Sequence, residues 1–230
     1  MCCKAGEAYQ ERQGMKEYPM SFSAEMVAAL LDGRKTQTRR IVSRRNSLID
    51  GYPISQERWD SLHFEDAWID KGPSPSGNPG PYLKVPDTDS VVHRIYPRIQ
   101  SGDVLWVREA LRRAESGCVT YQQDGTPVMH EGEPMHWPWQ RKTLPSIFMP
   151  RLACRILLKM KAMRAERVQN ISYKDCLAES IDEEGAYNDY GAGGRVRDAF
   201  AALWDSIHAK RINRWKGNPW VWVWEFERMP

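Results

Sequence analysis

Cysteine is scarce and badly placed for chemistry in this 230-residue chain. Cys2, Cys3, Cys118, Cys154 and Cys176 make an odd number with no C-x-x-C spacing. That leaves no basis for a disulfide framework or a cysteine zinc site. Cys154 and Cys176 stand in apolar patterns and read as small buried side chains. No apolar run reaches transmembrane length, and the first residues lack a signal-peptide apolar core. The expectation is a protein of the reducing cytoplasm without membrane contact. His63, His93, His130, His136 and His208 stand at no ligand spacing, so neither a metal nor a cofactor is assigned. A dominant charge is also missing: the formal net charge is +3, which excludes a histone-like chain or a basic tail. Neither internal repeats nor a regular βαβ alternation occurs, which argues against solenoids and doubly wound sheets.

What is present suits a globular protein, with 41% hydrophobic and 27% charged residues. The length fits one large domain, or one small domain carrying an insertion. Ten Trp and nine Tyr can build a core or offer stacking surfaces. The charges are unevenly spread. Arg34, Lys35, Arg39, Arg40, Arg44 and Arg45 crowd one stretch, and Arg151, Arg155, Lys159, Lys161, Arg164 and Arg167 form a second run. Acids gather from Asp175 to Asp189. The first basic cluster points to an anionic partner. The second reads as an ordinary solvated strand face.

Residues 1–16 are polar and aperiodic and are expected to be a disordered tail, with Met15 as an alternative start. A helix is expected over Ala24–Asp32, capped by Ser23 and ended by Gly33. Thr36, Thr38, Ile41 and Val42 favour a strand after it. Prolines and glycines break every pattern in residues 46–98, which reads as an insertion with long loops. Gly102–Glu109 reads as a turn and a buried strand. Cys118–Gln122 and Pro127–Met129 suggest a hairpin around Asp124-Gly125. Residues 132–150 form a Trp/Pro-rich loop. Cys154–Ala162 alternates as a half-exposed strand. A capping box at Ser172–Asp175 opens a helix, and Gly185–Gly194 reads as a loop. Val196, Phe200, Leu203, Trp204 and Ile207 then recur at helical spacing. Trp220–Glu227 alternates with period two and closes the pattern as a strand. The fold class is α+β, a small mixed β-barrel with peripheral helices and a Pro-rich insertion.

Four separated segments carry a resemblance: Gly33-Arg34-Lys35-Thr36-Gln37-Thr38-Arg39-Arg40, Gly102–Glu109, Pro145–Ile156 and Asn218–Arg228. With the Phe200–Ile207 helix they resemble the ASCH-domain proteins of phages and prophages. The resemblance implies one PUA-like domain over residues 17–230, with the insertion at about 46–98, and a role with RNA or a modified nucleoside or nucleotide. Some small ASCH proteins are amidohydrolases that remove the acyl group of N4-acetylcytidine. Their catalytic Lys, Thr and Glu match Lys35, Thr38 and Glu179 here. The chain departs from those enzymes in its greater length and in Ser180, where they carry Gly after the Glu.

A lysine with a lowered pKa, beside other cations and partly buried, can activate water or a hydroxyl for attack on an amide. Lys35 and Thr38 would face opposite sides of one extended strand, so they share a pocket only if the chain bends after Gly33. Glu179 could hold the exocyclic nitrogen of the base; taken alone it reads as a solvated helix residue. Arg34, Lys35, Arg39, Arg40, Glu109 and Trp137 are the candidate RNA- or nucleotide-binding residues. Arg39 and Arg40 are expected on opposite faces. Glu109 reads equally as half of a structural ion pair, and Trp137 as a cap over the barrel end. Four functions therefore remain open: a nucleic-acid or nucleotide-binding module, an amidohydrolase, ranked lower a ribonuclease, for which no His pair or metal carboxylate cluster is evident, and a purely structural phage part.

Overall fold

The computed structural model describes residues 16–72, 82–181, 194–208 and 211–230. The expected tail (Lys16 excepted) and the loop from Gly185 (Gly194 excepted) lie outside the described residues. In chain order the elements are β1 (Glu17–Ser21), α1 (Ala24–Leu31), β2 (Gln37–Ile41), β3 (Ser47–Ile49), β4 (Tyr52–Pro53), α2 (Gln56–Asp60), β5 (Trp68–Asp70), β6 (Tyr82–Pro86) and β7 (Val92–Pro97). There follow β8 (Val104–Arg108), β9 (Leu111–Arg113), β10 (Val119–Tyr121), β11 (Met129–His130), β12 (Glu133–Pro134), β13 (Thr143–Leu144), β14 (Leu157–Arg167), α3 (Tyr173–Ala178), α4 (Gly194–Ile207) and β15 (Trp220–Arg228). Several sheets and few helices make the class α+β. The expected barrel is not seen: closure requires the end strands of a sheet to pair, and no sheet among the described strands closes. No helix among the described residues is long and apolar enough to cross a membrane.

The contact pattern divides the chain into two compact units. The first comprises Met1–Thr36, Gly102–Met160 and Phe226–Pro230. Here β1 runs parallel to β8 from Glu17↔Val104 to Ser21↔Arg108, and β14 opens antiparallel to β8 from Leu157↔Trp106. Ser23 caps α1, its side chain accepting from the Met26 amide, and α1 buries Val27, Ala29 and Leu30. The expected strand alternation holds at Ile156, Leu158 and Met160, all buried. It then slips: Lys161 and Ala162 are both exposed, and Ala165 is the next buried residue. A second core lies under β9, β10 and β13, where Leu111, Val119, Tyr121, Val128 and Leu144 pack with Met149 and Ala153. The turn at Asp124-Gly125 forms as expected. Gly125 takes φ +74°, and a Cβ there would sit 3.2 Å from the Arg112 guanidinium. The loop at 132–150 is more structured than expected, since it carries β12 and β13.

The second unit comprises Gln37–Ser101 and Lys161–Glu225. Residues 46–98, expected as open loops, instead contain a five-stranded antiparallel sheet in the order β4-β3-β7-β6-β5. The prolines misled because Pro53, Pro86 and Pro97 each close a strand, where a missing N–H is harmless. Leu83, Val85 and Ile95 are fully buried, and His93 is held at both nitrogens. Its Nε2 lies 2.6 Å from Asp87 and its Nδ1 3.1 Å from Arg58 Nη2. A guanidinium only donates, so this geometry has Nδ1 accepting from Arg58 and Nε2 donating to Asp87. Buried Ser47 of β3 accepts a 3.0 Å hydrogen bond from the Trp222 indole of β15. The same strand is buried on both faces from Trp220 to Trp224, because Val221 and Val223 pack under Cys176, Val196, Phe200 and Trp204 of α3 and α4.

The inserted sheet is therefore part of the folded core. Leu83→Ala is expected to lower stability by about 2–5 kcal/mol. Val92→Ala on the exposed side should stay within about 0.5 kcal/mol. Urea denaturation midpoints of the two variants check this.

Candidate functional site

The register of β2 against β15 decides where the basic segment points. Gln37, Arg39 and Ile41 pair with Glu225, Val223 and Val221, so they share the side covered by α3 and α4. Thr38 and Arg40 pair with Trp224 and Trp222 and project from the other side. Arg39 and Arg40 thus leave opposite faces, as alternation requires.

Arg39 has a fully buried side chain and sits among three carboxylates. Its Nε donates to Glu166 at 2.9 Å, and its Nη1 donates to Gln37 at 2.7 Å and Glu179 at 3.2 Å. Nη2 lies 2.7 Å from Glu166 and 3.3 Å from Asp175, as ionic contacts rather than aligned hydrogen bonds. The Phe200 ring lies 5.9 Å from the guanidinium carbon. A second arginine, Arg164 of β14, bridges Glu166 and Asp175 and also pairs with Glu225. Gln37 closes the ring by donating to Glu225 at 3.2 Å. Two guanidiniums therefore meet four carboxylates, a local excess of negative charge before Arg40 is counted. Arg39, a candidate nucleotide-binding residue, is the arginine of the pair that meets acids: its charge is used internally. So is that of Arg164, in a run expected to be a solvated face.

Glu179 is not a solvated helix residue. It is the C-cap of α3 and is 5% exposed. The short helix ends there because Ser180 adopts φ +69°. Asp175 serves twice, as the capping-box partner of Ser172 and as an ion-pair partner. Burial pushes its pKa up, but hydrogen bonds from Ser172 and Gln37 and the charges of Arg164 and Arg39 outweigh this and hold it at about 2. Burial depresses the Arg40 guanidinium, with the Glu179 charge opposing. His208 is lowered by burial and by Arg40. Burial raises the Cys176 thiol to about 11, which makes it inert as a nucleophile.

In the first unit the chain bends at Gly33, which takes φ +74°. Lys35 then donates its backbone N–H to Ala29 at 3.0 Å and is 3% exposed. It lies before β2 begins, so strand alternation does not govern it. Arg34 is exposed and pairs with Asp32. Glu109, 2% exposed, takes a bidentate grip from Arg155 at 2.9 and 2.6 Å. Arg155 also reaches Asp124 at 2.7 Å and lies 3.8 Å over the Tyr121 ring. Trp137 packs edge-on against Trp139 over the second core and donates its indole N–H to Arg141.

The structure thus joins Arg39 to Glu179 and brings Arg40 within electrostatic reach of that carboxylate. Thr38 is buried in the same unit as Glu179, whereas Lys35 belongs to the first unit. Sequence reasoning missed Gln37, Arg164, Glu166 and Glu225. Alternation along β14 hinted at a shared side for Arg164 and Glu166, but no local signal tied them to Arg39. Neither the histidine spacings nor the carboxylates of the sequence singled out His63, Glu65 and Asp66, whose ligand atoms lie within 4.8 Å of one another. Comparison with family models, with curated proteins and with solved structures finds no match for the chain.

Two outcomes follow from the network. Arg39→Ala leaves buried carboxylates unpaired and is expected to cost about 3–5 kcal/mol in denaturant titrations. Asp175 titrates at about 2 in the fold against an ordinary 3.8. Its contribution is complete above the ordinary value and disappears as pH falls from about 4 to about 2. Asp175→Asn should therefore flatten stability against pH in that window, followed by fluorescence-detected unfolding.

Proposed function

We propose that the chain is an ASCH-domain protein of PUA-like type that binds RNA or a modified nucleoside or nucleotide, with residues of Gly33–Arg40 among its contacts. One observation supports this most directly. Lys35, Gln37, Thr38 and Arg39 are all buried, so these polar side chains are withdrawn from solvent while Arg34 and Thr36 beside them are exposed. Polar side chains withdrawn from water cost free energy unless they are partnered, and such layers recur where a ligand's polar groups are read. Arg39 is committed to its carboxylates. Arg34, which is exposed, and Arg40, whose guanidinium is desolvated by burial, are the segment's other arginines, and an exocyclic base amine suits a carboxylate such as Glu179. Binding of a single-stranded oligoribonucleotide should weaken steeply with salt, and each phosphate contact removed should lower the log–log slope by about 0.7. Arg40→Glu and Arg34→Glu are expected to weaken binding at least tenfold, read by fluorescence anisotropy at two salt concentrations. Unchanged affinity in both variants would remove this reading.

A second reading is hydrolysis of an N4-acylated cytosine nucleoside, favoured by the burial of Lys35 and Glu179 in the positions the family resemblance assigns to catalysis. Water adds to the amide carbonyl, the carbon–nitrogen bond breaks, and cytidine and acetate leave. The resemblance gives Lys35 the part of a base and Glu179 that of holding or protonating the departing amine. Incubation with N4-acetylcytidine, with cytidine followed by chromatography, is expected to show turnover that Lys35→Ala abolishes. Equal turnover by that variant would remove the assignment.

A further inference from the structure

We infer that His63, Glu65 and Asp66 form a binding site for a first-row divalent cation of the manganese or zinc type. The three residues lie on one short helical turn, with His63 as its N-terminal cap and Phe64–Asp66 as its body. Each offers one ligand atom, and these atoms lie within 4.8 Å of one another. Donors on opposite sides of a cation with bonds of about 2.0–2.2 Å span nearly that separation, so small rotamer changes close the set on an ion.

The turn that presents these groups is held rigidly. Its Phe64 carbonyl accepts from the Trp220 indole at 2.9 Å and from Arg167 Nη2 at 3.2 Å, and the Glu65 carbonyl takes a second bond from the same guanidinium. The His63 amide donates to Pro86 at 2.8 Å, and the Phe64 ring packs on Trp59 at 4.8 Å. Every anchor grips the backbone or the phenyl ring and leaves the three donor groups unused. Among the described residues the His63 ring and the Asp66 carboxylate make no hydrogen bond or ion pair, and the Glu65 carboxylate interacts only through its charge with Arg167. Glu65 and Asp66 are exposed and His63 is half-buried, so the set is open to an ion arriving from solvent. One imidazole with two carboxylates suits Mn²⁺, Fe²⁺ or Zn²⁺ better than the all-oxygen shells of Mg²⁺ or Ca²⁺. Because all three ligands come from one turn, they cover one side of the ion and leave the other side to water or to oxygens of an incoming ligand.

Mn²⁺ is the probe, since it discriminates against the free thiols of the chain. Titration of the full-length protein followed by electron paramagnetic resonance should show one bound ion per chain, displaced by Zn²⁺ at lower concentration than by Mg²⁺. His63→Ala and Asp66→Asn should each weaken Mn²⁺ binding at least tenfold while far-UV circular dichroism stays unchanged. Absence of bound Mn²⁺, equal binding by both variants, or displacement by Mg²⁺ as readily as by Zn²⁺ would overturn the site. The readout is independent of RNA binding and of nucleoside turnover.

Discussion

A guanidinium with no access to water holds the second unit together. Arg39 reaches Glu166 on β14, Glu179 at the end of α3 and Gln37 on its own strand, so three elements distant in sequence meet at one planar cation. Such a cation cannot shed its proton to escape burial, as a lysine can, and it therefore demands carboxylates at fixed angles. That demand explains why a helix of six residues is stable beside β2. α3 is too short to persist by itself, and it is fixed by its capping box, by Cys176 in the core and by the ionic grip on Asp175 and Glu179.

The same arrangement changes what the basic segment can offer a partner. Of the clustered cations, Arg39 is consumed within the fold, and carboxylates outnumber guanidiniums around it. The exposed cations of the cluster are Arg34 and Arg45, whereas Arg40 is desolvated by burial. The carboxylates around Arg39 are themselves held by it and by Arg164, so the network is largely satisfied within the fold.

A parallel solution appears in the first unit, where Glu109 and Arg155 form a bidentate pair closed by Asp124 and the Tyr121 ring. There the carboxylate is the buried partner and the arginine the half-buried one. Tyr121 is doubly useful: its ring carries the guanidinium, and its hydroxyl donates to the Ala153 carbonyl at 2.8 Å. Burial and the neighbouring Glu109 charge raise its pKa far above the usual range, so it stays a neutral donor.

Local pattern alone determined the caps and periods. Ser23, Ser172, Gly33 and the alternation of Trp220–Phe226 fix their elements through bonds and side-chain directions that span only a few residues, and each is legible in the sequence. The strands within residues 46–98 were not, because proline counts hide the fact that a proline at a strand's last residue disturbs no ladder. The fate of the charges was equally invisible. Whether Arg39 faces a phosphate or three carboxylates depends on partners 127 and 140 residues away. Only tertiary packing chooses them, since Coulomb interactions act through space and carry no trace of sequence distance. Glu179 moved from solvated helix to buried C-cap for the same reason.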